Sequence, residues 1–153
     1  MNFKFVSAGE KKKLIEELGK DFGIEKLNYL LIESGRERIR GFTGHMSKEE
    51  IVEIGNLINV ELIGLYLINR EEGKGLRLSF DSTHVLRNEI KQGVLEINDG
   101  QLGDWLRGKD LEIVFRRGNV IIKHGEDLVG CGKSNGLKIF NYVPKDRRLK
   151  SVR

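Results

Sequence analysis

Apolar residues recur at helical spacing near the start of the chain. Leu14, Ile15 and Leu18 share one helix face and Lys11, Lys12 and Lys13 take the other. Ser7 three residues ahead of Glu10 predicts a capping box at the start of that helix, and Gly19 or Gly23 its end. Asn28 to Glu33 predicts a short buried strand. Ser34-Gly35 predicts a turn, with Arg36 to Phe42 returning as the second strand of a hairpin. Ser47 and Glu50 form a second capping-box pattern, whose helix places Ile51, Ile54, Leu57 and Ile58 on one face. Val60 to Ile68 reads as a central strand and Asn69 to Gly75 as a charged loop. Leu76, Leu78 and Phe80 alternate with Arg77 and Ser79, as in a half-solvated strand, and Asp81-Ser82 caps a short helix with Val85 and Leu86 inside.

The pattern changes at Gly93. Val94 to Ile97 predicts a short strand, and Asn98-Asp99-Gly100 turns into a brief helix bearing Leu102, Trp105 and Leu106, closed by Arg107-Gly108. Leu111, Ile113 and Phe115 alternate. Arg117-Gly118-Asn119 turns into a strand at Val120 to Ile122, and Gly125-Glu126-Asp127 turns into Leu128-Val129-Gly130. Short strands at this spacing, separated by turn residues, indicate a small β-barrel or sandwich. The expectation is an α+β protein of two parts: a mixed domain over 1–92 and a compact, mostly β domain over 93–153.

Composition narrows the class. With 39% hydrophobic and 33% charged residues in 153, the chain has the balance of a soluble globular protein, and its length suits one ordinary domain or two small ones. A single cysteine excludes an internal disulfide and fits a reducing compartment. No apolar run reaches the length of a membrane span, and Met1-Asn2-Phe3-Lys4 opens no signal segment. A cytoplasmic location with no membrane partner is expected. The charge is uneven. From residue 132 onward seven Lys or Arg face one acid, a net of +6, whereas the whole chain is +4, which leaves −2 for residues 1–131. A local basic patch beside aromatics and glycines is the electrostatic footprint of a polyanion partner, most often nucleic acid. The alternative is a solvated, frayed basic tail.

Two phrases in the second half carry a resemblance. Val94-Leu95-Glu96-Ile97-Asn98-Asp99-Gly100 leads into Trp105-Leu106-Arg107-Gly108-Lys109-Asp110-Leu111. Gly130-Cys131-Gly132-Lys133 precedes Leu137-Lys138, Asn141-Tyr142, Pro144-Lys145 and Arg148. Together they resemble the opening and the ending of the PUA-like RNA-binding domain at the C-terminus of Nop/Sun-type RNA cytosine-5 methyltransferases. Ile139-Phe140 and Val143 interrupt the family's ending phrase. Val60 to Leu86 is similar, more loosely, to the pre-PUA segment of that family. The layout resembles its stand-alone archaeal ribosome-biogenesis members.

The resemblance implies an N-terminal mixed α/β pre-PUA domain, a PUA-like β-barrel, and an RNA partner, rRNA or tRNA, with a separate RNA-modifying enzyme as a further partner. It does not imply methyl transfer. The 153 residues hold no glycine-rich dinucleotide-type domain for S-adenosylmethionine, and Cys131, set between two glycines in a strand, reads as a small packed residue. No catalytic residue and no cofactor are therefore expected. His45, His84 and His124 are too scattered for a metal site.

The RNA-binding residues implied are Arg107, Gly108 and Lys109 at the helix end, with Lys133, Lys138, Asn141, Tyr142, Lys145, Arg147 and Arg148 along the basic segment. The lysines and arginines would meet phosphates. Tyr142 would either stack on an unpaired base or pack on its strand. Phe140 and Trp105 read as packing residues. Lys74 and Arg77 read as a solvated loop and strand face, with an extension of the RNA surface as the alternative. A protein–protein adaptor, with the first half docking an enzyme or assembly factor, is the competing function.

Overall fold

A computed structural model describes residues 3–60 and 62–150. Met1 and Asn2, Glu61 of the expected Val60–Ile68 strand, and Arg153 of the basic count lie outside the described residues. The first half is a five-stranded antiparallel sheet in the order β1-β2-β3-β4-β5, with strands Phe3–Phe5 (β1), Leu30–Ser34 (β2), Arg38–Phe42 (β3), Leu65–Glu71 (β4) and Gly75–Leu78 (β5). Helix α1, Ala8–Phe22, starts where the Ser7 hydroxyl accepts the Glu10 N–H at 3.2 Å. It buries Leu14, Leu18 and Phe22, one turn apart, against the sheet's core. Helix α2, Lys48–Leu57, has the full reciprocal box between Ser47 and Glu50. That box also holds the Glu50 carboxyl below its usual pKa, because its charge receives the Ser47 backbone N–H.

Several expectations change. The apolar face of α2 is not a core face along its length: Ile51 is buried, but Leu57 is 83% and Ile58 61% exposed. The strand expected from Val60 begins only at Leu65, after a bend at Gly64, and runs on to Glu71. Arg70 and Glu71 pair with Leu76 and Gly75, so the expected charged loop is the tip of a tight hairpin, Glu72 to Lys74. The short helix α3, Phe80–Val85, is capped by Ser79, whose extended backbone leaves β5; Asp81 and Ser82 are already inside it. Its buried side chains are Ser82 and Thr83, whereas Val85 is exposed.

The second half is a four-stranded sheet, β6-β7-β8-β9, curled as an open half-barrel. Its strands are Val94–Glu96 (β6), Gly118–His124 (β7), Asp127–Ser134 (β8) and Ile139–Phe140 (β9), with helix α4, Asp99–Leu106, between the first two. β6 runs parallel to β7 and the other pairs are antiparallel. The fold is α+β, as expected, but the barrel does not close. Leu111, Ile113 and Phe115 keep their alternating burial without forming a strand. β9 offers only two residues, and a single bridge from Leu111 to Ile139 is all the pairing that results.

The β7–β8 hairpin is apolar on both faces. Ile121, paired with Cys131, points into the core of the first half, with Leu14, Phe22, Leu76 and Leu78 in the same cluster. Val120, paired with Gly132, and Ile122 point the other way, into a cluster around Trp105. Trp105 is fully buried and donates its indole N–H to the Val129 carbonyl at 2.7 Å. The two glycines around Cys131 exist for this packing. Gly130 has φ +109, and a Cβ on Gly132 would lie 2.8 Å from the Trp105 ring and 2.7 Å from Ile139. Gly132→Ala is expected to cost about 1–3 kcal/mol by overpacking. Gly9→Ala, in α1 with nothing within 4 Å of the new methyl group, is expected to leave stability unchanged or raised. Thermal unfolding of the two variants beside the wild type checks this.

Candidate nucleic-acid interface

The ten residues implied as RNA contacts fall into separate neighbourhoods. The first lies at the C-terminal end of α4. Asn141 donates its side-chain amide to the Trp105 carbonyl at 2.8 Å and the Lys109 carbonyl at 2.9 Å, and accepts the Val143 N–H at 2.8 Å. It thus ties the end of α4, and Lys109 just beyond it, to the C-terminal segment. Arg148 donates Nε to the Val143 carbonyl at 2.9 Å and lies across Gly108, where a Cβ would come within 2.6 Å of the guanidinium carbon. The Leu149 N–H donates to the Leu106 carbonyl at 2.8 Å. The chain is thus fastened to α4 through residue 149, and the frayed-tail alternative fails over that stretch. Arg107 caps the helix and is exposed, with one guanidinium nitrogen close over Gly103; Lys109 pairs with Asp104 at 3.6 Å.

The remaining basic residues are partly neutralised. Lys138 lies 3.5 Å from Asp110 and 3.8 Å from Glu112, near the Phe140 ring. Arg147 pairs with Asp81 at 2.8 Å and covers Phe80, which joins the second half to α3. Lys145, in a single 3-10 turn over Lys145–Arg147, is exposed.

Lys133 and Tyr142 belong to a different constellation, which includes two residues of the first half. The Arg77 guanidinium, on β5 at the edge of the first sheet, lies 4.0 Å from the centre of the Tyr142 ring. Lys74, at the adjoining hairpin tip, and Lys133, on β8, line the same shallow notch, and Lys133 Nζ reaches the Lys74 carbonyl at 3.4 Å. Asn69, Glu71 and Asn119 complete it. Glu71 pairs with Lys74 at 2.6 Å; that hydrogen bond holds the Glu71 carboxyl below and the Lys74 ammonium above their usual values. Buried Asn119 donates to the Leu76 carbonyl and so ties β7 to β5 beside the notch. Lys74 and Arg77 were readable as basic and exposed. Their partner Tyr142 is 65 residues further on from Arg77, and only the docking of the two sheets joins them.

Cys131 is chemically quiet. Burial pushes its thiol up to about 12, so the thiolate that covalent chemistry needs is scarce near neutrality. His124 bonds Asp99 at 2.7 Å, from the end of β7 to the first turn of α4, a contact the sequence spacing concealed. Among the described residues no group of three His, Cys, Asp or Glu side chains is placed to hold a metal ion, and no helix is long and apolar enough to cross a membrane.

Comparison with known proteins agrees with this architecture. Residues 92–149 match the family model of the methyltransferase RsmF PUA domain. The ribosomal RNA small subunit methyltransferase F of Shewanella oneidensis is 25% identical over 150 residues, which is 95% of this chain and 30% of that protein. The enzyme of the same name from Shewanella pealeana is 23% identical over 148 residues, 95% of this chain and 29% of its own length. The chain therefore spans about 30% of these curated relatives, and the likeness takes in the first half as well as the second. Both sequence phrases lie within residues 92–149, the stretch that the RsmF PUA-domain model matches.

Asn141→Ala removes hydrogen bonds from a half-buried helix end and is expected to lower unfolding stability by roughly 1–3 kcal/mol in denaturant titration. Cys131 in the native protein is expected to resist iodoacetamide at pH 9.0, the ordinary thiol value at which half the groups are ionised, and to react once urea unfolds the chain. A raised thiol pKa contributes stability below the ordinary value of 9.0 that is lost as pH climbs towards about 12. Cys131→Ala should flatten that alkaline loss in pH-dependent melts.

Proposed function

We propose that this protein binds structured RNA, rRNA or tRNA, in ribosome biogenesis or RNA modification, and holds the RNA rather than acting on it. The observation that carries this reading is the RsmF-type PUA domain over 92–149. The relatives are methyltransferases of small-subunit ribosomal RNA by name, which favours rRNA over tRNA. The division into a pre-PUA domain, 1–92, and a PUA domain, 93–153, belongs to this proposal, as does a cytoplasmic location. The proposed contacts are Arg107, Lys133, Tyr142 and Lys145, with Lys109, Lys138 and Arg147 contributing once RNA phosphates compete with their carboxylate partners. Gly108, Asn141 and Arg148 shape the surface from beneath. The RNA would be delivered to a separate modifying enzyme.

A protein–protein adaptor is the second reading, favoured by one feature of the first half. Met46 and Leu62 are exposed on a groove of about 320 Å³ that Phe42, Ile51, Ile54 and Ile63 also line. An apolar surface of that kind marks a protein contact more than an RNA contact.

Binding to total ribosomal RNA, measured by filter retention across a salt series, tests the first reading. The expected result is affinity that falls steeply as salt rises, because each phosphate contact releases counterions. Lys145→Ala should flatten the log–log slope by about 0.7–0.9 if Lys145 meets a phosphate. Absence of binding at low salt would overturn the reading and leave the apolar groove as the functional surface.

A further inference from the structure

We infer that the junction of the two halves is a stacking site for an unpaired nucleotide of RNA, in which a base lies on the Tyr142 ring backed by Arg77 and the neighbouring phosphates meet Lys74 and Lys133. This rests on the RNA-binding reading and adds a site that neither half forms alone.

The Arg77–Tyr142 pair supplies the platform. At 4.0 Å from the ring centre the guanidinium covers one face of the tyrosine, and a cation in that position is held by the ring's negative face. Tyr142 nonetheless remains 39% exposed. A ring already fixed by a guanidinium loses less side-chain freedom when a base stacks on it, so the platform is preorganised. Tyrosine and arginine planes are the surfaces on which splayed-out RNA bases stack.

Charge favours a nucleotide over an uncharged ring. Lys74, Arg77 and Lys133 face one carboxylate, Glu71, across the notch, a net of +2. Among the described residues the Lys133 ammonium has one long hydrogen-bond contact, 3.4 Å, to the Lys74 carbonyl, which leaves donors for a phosphate. The hydrogen bond to Glu71 holds the Lys74 ammonium above its usual value.

Volume decides how the base is held. The notch encloses about 10 Å³, roughly the room that one water molecule needs. No base can enter it, so the base must lie on the face of the ring. Stacking without an enclosing pocket tolerates any base, and it requires that the base not be paired within a helix. The class of ligand is therefore single-stranded RNA, or an unpaired loop of a structured one, read with little sequence preference.

The test is a titration of the full chain with an RNA decamer carrying one 2-aminopurine, in parallel with a blunt RNA duplex and with total ribosomal RNA. The expected result is quenching of 2-aminopurine at saturation, tighter binding to the single strand than to the duplex, and retention of both in Tyr142→Phe. Tyr142→Ala, checked for folding by its thermal transition, should lose the quenching and bind the decamer about five- to fifty-fold more weakly. Lys74→Ala and Lys133→Ala should each flatten the salt slope by about 0.7. Glu71→Gln should tighten binding by removing the notch's one negative charge. Wild-type affinity in a folded Tyr142→Ala variant, or a preference for the duplex, would overturn the stacking site while total rRNA binding still stood. Failure of the wild type to bind any of the three RNAs would overturn the RNA reading beneath it.

Discussion

The double-sided burial of the β7–β8 hairpin is the constraint on which the rest of the molecule depends. Side chains alternate across a strand, so a hairpin packed on both faces must be apolar at consecutive positions. Val120-Ile121-Ile122 meets that demand, and the register sorts it. Ile121 and Cys131 close the core of the first half, while Val120, Ile122 and Gly132 close the cluster around Trp105. The hairpin serves as a common wall. Removing either core exposes one face of it, so the two halves are expected to stabilise each other even though their sheets are separate.

That wall fixes the surface above it. β5 is the edge strand of the first sheet, and such an edge invites uncontrolled pairing unless something covers it. Here it lies against the second half, held by Asn119 on Leu76. The same arrangement brings Arg77 of β5 under Tyr142 and Lys74 beside Lys133. The cationic notch is thus a product of the packing that holds the molecule together. Much of the basic segment is consumed in structure: Asn141 and Arg148 fasten it to α4, and Lys138 and Arg147 face carboxylates.

What the sequence made legible was mostly local. Capping residues located both long helices, because the Ser–Glu spacing acts within a single turn. The glycines flanking Cys131 marked a place of close approach, though not that the approaching group is Trp105. Where a pattern depended on a distant partner it misled. Leu57 and Ile58 have helical periodicity but stay exposed, with no core element among the described residues covering them. Leu111 to Phe115 alternates like a strand, yet the neighbouring β9 is too short to pair with it. The basic count after residue 132 was accurate as charge and uninformative about availability. Ion pairs such as Lys138 with Asp110 join residues that only tertiary packing brings within reach. Arg77 was discounted for the converse reason, since its significance comes from Tyr142.

Ultraviolet crosslinking of the whole chain to ribosomal RNA, followed by peptide mapping, addresses the central claim most directly. The account predicts crosslinks in two peptides distant in sequence, one containing Arg77 and one containing Tyr142, since the notch joins the two halves. Crosslinks confined to the second half, with none near Arg77, would contradict it.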